Sequence, residues 1–494
     1  MNYSLYRRYC LVTYLTGWVV CLLLTGCSNA PVKADATTSS LPVLSPDYTG
    51  VTFPSNIAPP NFTIKEKGDA YAVEIGADNR VLFTYRNDAP EVSIKEQDWR
   101  ELQETTAGKN FFIRVTVLRD GMWLRFADVV NTLSDKAIDP YLVYRLLYPG
   151  YELWNEMGIY QRNLTTYEET PIIENTDLEN GCVNCHTFSS NSPENMMMHV
   201  RGKLGGTIIK QGDKITKVNV KGAQMKNGSS YAAFHPSGRY IAFSANEIQQ
   251  FFHSTGPKAV EVSDLESDLL VYDVEKNRIL TDSVIAGSQF METFPNWSPD
   301  GTRLYFCRTG AYAKGMPLDS IRYDLFSISF DPDTQHFGTP ECVYNASSKG
   351  KSVSFPRVSP DGKYLMFTQS DYGNFSIWHP ESELCLLTLS TGQMRIMDEV
   401  NSNDVESFHT WSSTGEWFVF SSKRLDGLWA RPFIAYFDSK TGKASKPFVL
   451  PQKDPNFYDF FTKTFNLPEL ITTPVTEGNS FAREAQNSPK QVNP

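Results

Sequence analysis

The chain has 494 residues, 46 basic and 56 acidic, for a formal net charge of −10. With no basic cluster along it, that balance argues against nucleic acid and anionic lipid headgroups as partners. Aromatic residues at 13% and 31 glycines suit a β-rich globular protein, long enough for two or three domains.

Residues 1–26 read as a signal peptide. Arg7 and Arg8 precede an apolar run, Leu11 to Leu24, too short for a bilayer span, and Leu24-Thr25-Gly26-Cys27 follows. This resembles a bacterial lipoprotein signal, which implies cleavage before Cys27 and lipidation of that cysteine. Ser28 implies sorting to the outer membrane, and the lack of an acidic run after Cys27 favours its periplasmic face. Two acyl chains make a firm membrane anchor, since each buried methylene contributes about 0.8 kcal/mol. Cleavage leaves 44 basic and 56 acidic residues, a charge of −12. Residues 27–54, rich in Ser, Thr, Pro and Ala, read as a flexible tether.

Residues 55–135 hold two strand pairs with turn signals between them, DAYAVEIGADNRVLFTY and NFFIRVTVLRDGMWLRF, consistent with a small β-sandwich. Residues 136–203 read as an aromatic linker carrying Cys182-Val183-Asn184-Cys185-His186. A covalent c-type haem needs two thiols to add across its vinyl groups and an imidazole beneath the iron; C-x-x-C-H supplies all three in one loop. One haem c on Cys182 and Cys185, with His186 as proximal ligand, is therefore expected. Zinc and a redox disulfide share these residue types. No second C-x-x-C offers zinc its other ligands, and no strand-then-helix setting favours a thioredoxin-like pair. Downstream, Ser192 and Pro193 suggest the start of a short helix presenting Met196 to His199, from which Met198 or His199 would be the distal iron ligand. Arg201 and Lys203 are placed to meet haem propionates. The arrangement is similar in outline to haem-containing nitrite reductases that join a c-type haem to a propeller. Their helical cytochrome domain has no counterpart here, so their activity is not implied.

From residue 204 to 455 a repeat dominates. YAAFHPSGRYIAF, FPNWSPDGTRLYF, FPRVSPDGKYLMF and FHTWSSTGEWFVF begin at Tyr231, Phe294, Phe355 and Phe408. Each sets a turn, in which Gly301 and Gly362 take a conformation other residues resist, before a strand of alternating character. Further strand pairs between the copies bring each repeat to about four strands, one propeller blade. These segments resemble the WD40-like repeats of TolB-type β-propellers, which implies a closed ring with a central channel and loop-built binding surfaces; four clear repeats and partial extras make five or six blades. Asp300 and Asp361 read as turn-makers, and Trp297, Trp411, His235 and His409 as structural. Residues 456–494 either close the ring or pack beneath it, with a frayed end. Cys307, Cys342 and Cys385 read as buried small hydrophobes, a Cys307–Cys342 bridge staying open.

The expected fold is thus all-β: an N-terminal β-sandwich-like domain, a short haem-motif segment and a C-terminal TolB-like β-propeller. The leading functional expectation is a membrane-anchored periplasmic c-type haem propeller, serving electron transfer or redox sensing for an envelope protein bound on the ring. A non-redox binding scaffold in the cell envelope is the second class, and a haem enzyme acting on a small oxidant the third. No catalytic residue is assigned, and no G-x-S-x-G elbow marks a hydrolase.

Overall fold

Alternating strands joined by tight turns build six antiparallel meanders arranged as a ring. The computed structural model describes residues 32–149, 156–220, 229–256 and 258–493; the signal segment 1–26 and Cys27 lie outside them. Blade 2 opens with Val183–Ser189 and continues with Ser192–Val200, Gly206–Gln211 and Lys214–Asn219. Blades 3 to 6 open with Ser229–Phe234, Phe290–Trp297, Ser352–Val358 and Glu406–Trp411. Blade 1 is discontinuous. Its three outer strands, Tyr141–Leu147, Met157–Asn163 and Glu169–Glu174, receive their inner strand from Thr464–Ile471, which pairs antiparallel with Tyr141–Leu147. The C-terminal region therefore closes the ring, giving six blades over 141–471.

Every inner strand carries the same bulge. At it the first residue adopts a left-handed backbone: Cys185 (φ 50°), Tyr231 (44°), Phe294 (52°), Phe355 (52°), Phe408 (50°) and Leu467 (50°). The ladder steps over two residues there, as between Asn184 and Thr187 or Thr293 and Asn296. Left-handed geometry costs a non-glycine residue about 1–2 kcal/mol, so packing must hold it. The rings do so, with centroids 4.2 Å apart for Tyr231–Phe294, 4.1 Å for Phe294–Phe355 and 4.7 Å for Phe355–Phe408. They plug the channel at mid-height. Neighbouring blades are also tied by indoles: Trp297 Nε1 donates to the Ala233 carbonyl and Trp411 Nε1 to that of Arg357.

The N-terminal part has a seven-stranded sheet and a three-stranded one, plus a helix, Glu96–Thr106, that the sequence reading does not contain. Trp99, Leu102, Gln103 and Thr106 form its buried stripe, and Trp99 packs edge-on against Phe53. Phe53 in turn meets Phe448 of blade 6, with ring centroids 4.8 Å apart, so one core joins this part to the ring.

Several expected boundaries move. Within the expected tether, residues 32–53 supply three short strands, with Tyr48 and Phe53 fully buried. The 136–203 linker is instead most of blade 1 and half of blade 2, because its aromatic and β-branched residues pair as strands. The expected start of the propeller at 204 therefore falls about a blade and a half late. The expected frayed end is held: helix Ser480–Ala485 buries Phe481 and Ala485, and Lys217 Nζ donates to the carbonyls of Ala485 (2.7 Å) and Asn487 (3.0 Å). Cys307 and Cys385 are buried as expected, but Cys342 is exposed, and all three are free thiols. Cys307 and Cys342 lie on strands flanking Asp324–Asp331, two strand spacings apart and out of disulfide reach. Among the described residues no helix is long and apolar enough to cross a membrane.

Candidate functional site

Cys185 and His186 lie at the heart of the ring, and Cys182 just ahead of the same strand. Cys185 and His186 are the two bulge residues of blade 2's inner strand, the positions held by Phe408 and His409 in blade 6. The match continues: Cys185-His186-Thr187-Phe188-Ser189-Ser190 aligns with Phe408-His409-Thr410-Trp411-Ser412-Ser413. The C-x-x-C-H spacing is thus laid over a propeller repeat.

Burial governs their chemistry. Cys182 packs in the core between blades 1 and 2 with Val143, Met157 and Leu178, and burial raises its thiol pKa. Both thiols are free. His186 is 3% exposed, and burial together with the Arg145 charge lowers its pKa to about 3, so the ring is neutral. The backbones of Leu467 and Val143 lie near its nitrogens, but neither nitrogen makes a hydrogen bond of good geometry. The cavity beside Cys185 and His186, lined also by Tyr231, Phe294, Phe355 and Glu469, measures about 20 Å³. That is room for about one water, whereas sites for organic ligands run to roughly 300–1,000 Å³.

The expected distal ligands are displaced too. Ser192–Val200 is a strand, not a helix, because it pairs on both sides, with Val183–Ser189 and Gly206–Gln211. Strand periodicity then puts Met198 and His199 on opposite faces. Met198 is wholly buried in the core; His199 Nδ1 lies 3.1 Å from Thr207 Oγ1, and burial lowers its pKa to about 4. Lys203 pairs with Glu179 at the surface. The residues as arranged do not fit a haem. Zinc fares no better: among the described residues no group of three or more His, Cys, Asp or Glu side chains is placed to hold a metal ion.

Polar groups that no local motif announces gather above and below the plug. In an antiparallel meander the start of each inner strand and the loops between second and third strands share one face, here called the upper. On that face the hairpin of blade 3, Tyr240–Phe252 with Val260–Asp273, is extended toward blades 4 and 5. Its Asp264 accepts from Asn246 (2.9 Å), Tyr323 (3.1 Å) and Asn374, and burial raises its pKa to about 6. Lys258 near the tip pairs with Glu381 of blade 5 at 2.8 Å. Blades 1 and 2 contribute Arg145 and Arg201 to the same mouth. Below the plug, Glu469 accepts from Thr187 Oγ1 and the Phe188 amide, and burial raises its pKa to about 7. His235 and His409 bond the carbonyls of Gly301 and Met366, and Asp300 caps its own turn through Thr302.

No family model matches the chain, and no curated protein matches it. Among solved structures, the chain is similar to the β-propeller domain of the trilobed protease from Pyrococcus furiosus, at 11% identity over 83% of this chain and 98% of that one (TM-score 0.33). It is also similar to a Bacteroides thetaiotaomicron structural genomics protein of unknown function, at 9% identity over 78% and 96% (TM-score 0.34). Kuenenia stuttgartiensis hydrazine synthase is similar at 15% identity over 53% of this chain and 64% of that one, less than two thirds of its length (TM-score 0.31). Likenesses this loose carry no argument about chemistry; the propeller follows from the six sheets of this chain.

Proposed function

We propose that the protein is a TolB-like binding scaffold of the cell envelope, held at the periplasmic face of the outer membrane by a lipidated Cys27, with a partner protein docking on the upper face of the ring. One observation carries this reading: Ile248, Phe290, Met316, Leu425 and Leu428 are all exposed on the loops and strand ends of that one face. Clustered exposed apolar side chains mark interaction surfaces. Loops on a rigid ring suit partner recognition, and the plugged axis leaves the rim as the surface a partner reaches. Electron transfer or redox sensing through a haem is the second reading. The C-x-x-C-H spacing favours it, and it requires the inner strand of blade 2 to leave the ring.

Two measurements decide. A photo-crosslinking residue at Leu428 in cells should trap one discrete partner, and the same residue at Leu82, exposed on the N-terminal part, should not. Equal trapping at both sites, or none at either, removes the scaffold reading. The 182–186 peptide should have the mass of its unmodified residues; a gain of one haem would put the second reading first. Cys27→Ala should move the protein out of the membrane fraction, because the acyl anchor is lost.

A further inference from the structure

Among the described residues, two arginines at the upper mouth have no acid to meet them. Arg145, on the second strand of blade 1, donates through Nη1 to Asn184 Oδ1 and the Val183 carbonyl, and through Nη2 to Asn466 Oδ1 at 3.3 Å. Its Nε is buried with no hydrogen-bond partner. Arg201, just past the second strand of blade 2, donates through Nη2 to Ser230 Oγ at 3.3 Å. Neither guanidinium has a carboxylate within 4.0 Å among the described residues. The two arginines lie in each other's field, and Tyr231 lies in the field of both. The Tyr231 hydroxyl likewise has no hydrogen-bond partner among the described residues.

Amide and hydroxyl oxygens satisfy some of these donors but neutralise neither charge. A desolvated guanidinium is costly unless paired, and two that share one neighbourhood repel. The planar fork of arginine matches the paired oxygens of a carboxylate or phosphate. Asp264, whose charge also acts on Tyr231, is already engaged by Asn246, Tyr323 and Asn374.

We infer that the upper mouth is a site for a small oxyanionic group, carboxylate or phosphate, bound between Arg145 and Arg201 with the Tyr231 hydroxyl as a third donor. The group is either a side chain or terminus of the docked partner, in which case the inference rests on the scaffold reading, or a free solute.

The test uses the full chain in detergent. Its thermal midpoint is followed while sodium acetate or inorganic phosphate is raised, with sodium chloride holding ionic strength constant. A specific site gives a saturating rise, because ligand binds the folded state alone. Arg201→Gln should weaken the apparent affinity at least about tenfold, the loss of one charge-assisted contact. Arg145→Lys, which keeps the charge and removes the fork, should weaken it too, in case Arg145→Gln does not fold. Lys453→Gln, exposed and remote, should bind as the parent does. Saturation by acetate alone assigns a carboxylate, and by phosphate alone a phosphate. No saturating rise with either, or a rise unchanged in Arg201→Gln, overturns the inference. Crosslinks from Leu428 that persist in that event leave the scaffold reading standing; anion binding without any crosslinked partner leaves a free solute as the source.

Discussion

Gly301 and Gly362 occupy the same place in successive blade turns, with φ of +72° and +69°, yet their surroundings differ. A Cβ at Gly362 meets nothing within 4 Å, whereas one at Gly301 falls 2.1 Å from His235 Nε2 and 2.4 Å from its Cε1. His235 cannot step aside. It is 4% exposed, bonds the Gly301 carbonyl at 2.9 Å, and packs edge-on against Trp297 and Tyr240. Alanine at either site carries the left-handed backbone cost of about 1–2 kcal/mol. At Gly301 it adds overpacking of about 1–3 kcal/mol and a lost hydrogen bond of about 1 kcal/mol. Gly301→Ala should therefore lose about 2–4 kcal/mol more than Gly362→Ala, read as a lower urea midpoint at unchanged m-value. His235→Ala placed with Gly301→Ala should recover part of the loss, since the clash is with that ring. Equal costs at the two glycines would refute the reasoning, because backbone strain alone would then explain both.

Glu469 predicts a pH dependence. Its carboxyl titrates near 4.5 when unfolded and about 7 when folded, so the folded state holds the proton more tightly. Its contribution is present below pH 4.5 and is lost as pH rises to about 7, with a slope of at most about 1.4 kcal/mol per unit. Glu469→Gln should flatten denaturant midpoints over that window; an unchanged profile would mean that other groups set it. A chain ending at Lys463 lacks the inner strand of blade 1 and should bind a hydrophobic dye and yield to protease, whereas one ending at Thr472 should keep a closed ring; equal protease resistance of the two would contradict closure by Thr464–Ile471. Phe355→Ala should cost about 3–5 kcal/mol, because the plug loses a ring that touches both Phe294 and Phe408.

What sequence alone determined here is whatever chemistry is local. Ser-Pro-Asp-Gly announces its turn because proline, aspartate and glycine each restrict or permit backbone angles at their own position, and Asp361 accepts from Ser359 and Lys363 within that same turn. The alternation after each turn announces a strand because side chains two apart share a face. Four blades are legible on those grounds. The inner half of blade 2 hides because Ser189-Ser190-Asn191 replaces the proline-glycine turn, although Cys185-His186-Thr187-Phe188 matches Phe408-His409-Thr410-Trp411 in kind. Blade 1 hides because its inner strand joins from the far end of the chain, a pairing no window of sequence contains. Ser192-Pro193-Glu194 favours a helix start by local propensity, but ladders on both sides of Ser192–Val200 offer more hydrogen bonds and bury three methionines, so the strand prevails. C-x-x-C-H states which atoms are available. Whether a cofactor can reach them is decided by the ring, which closes around Cys185 and His186 and leaves space for about one water.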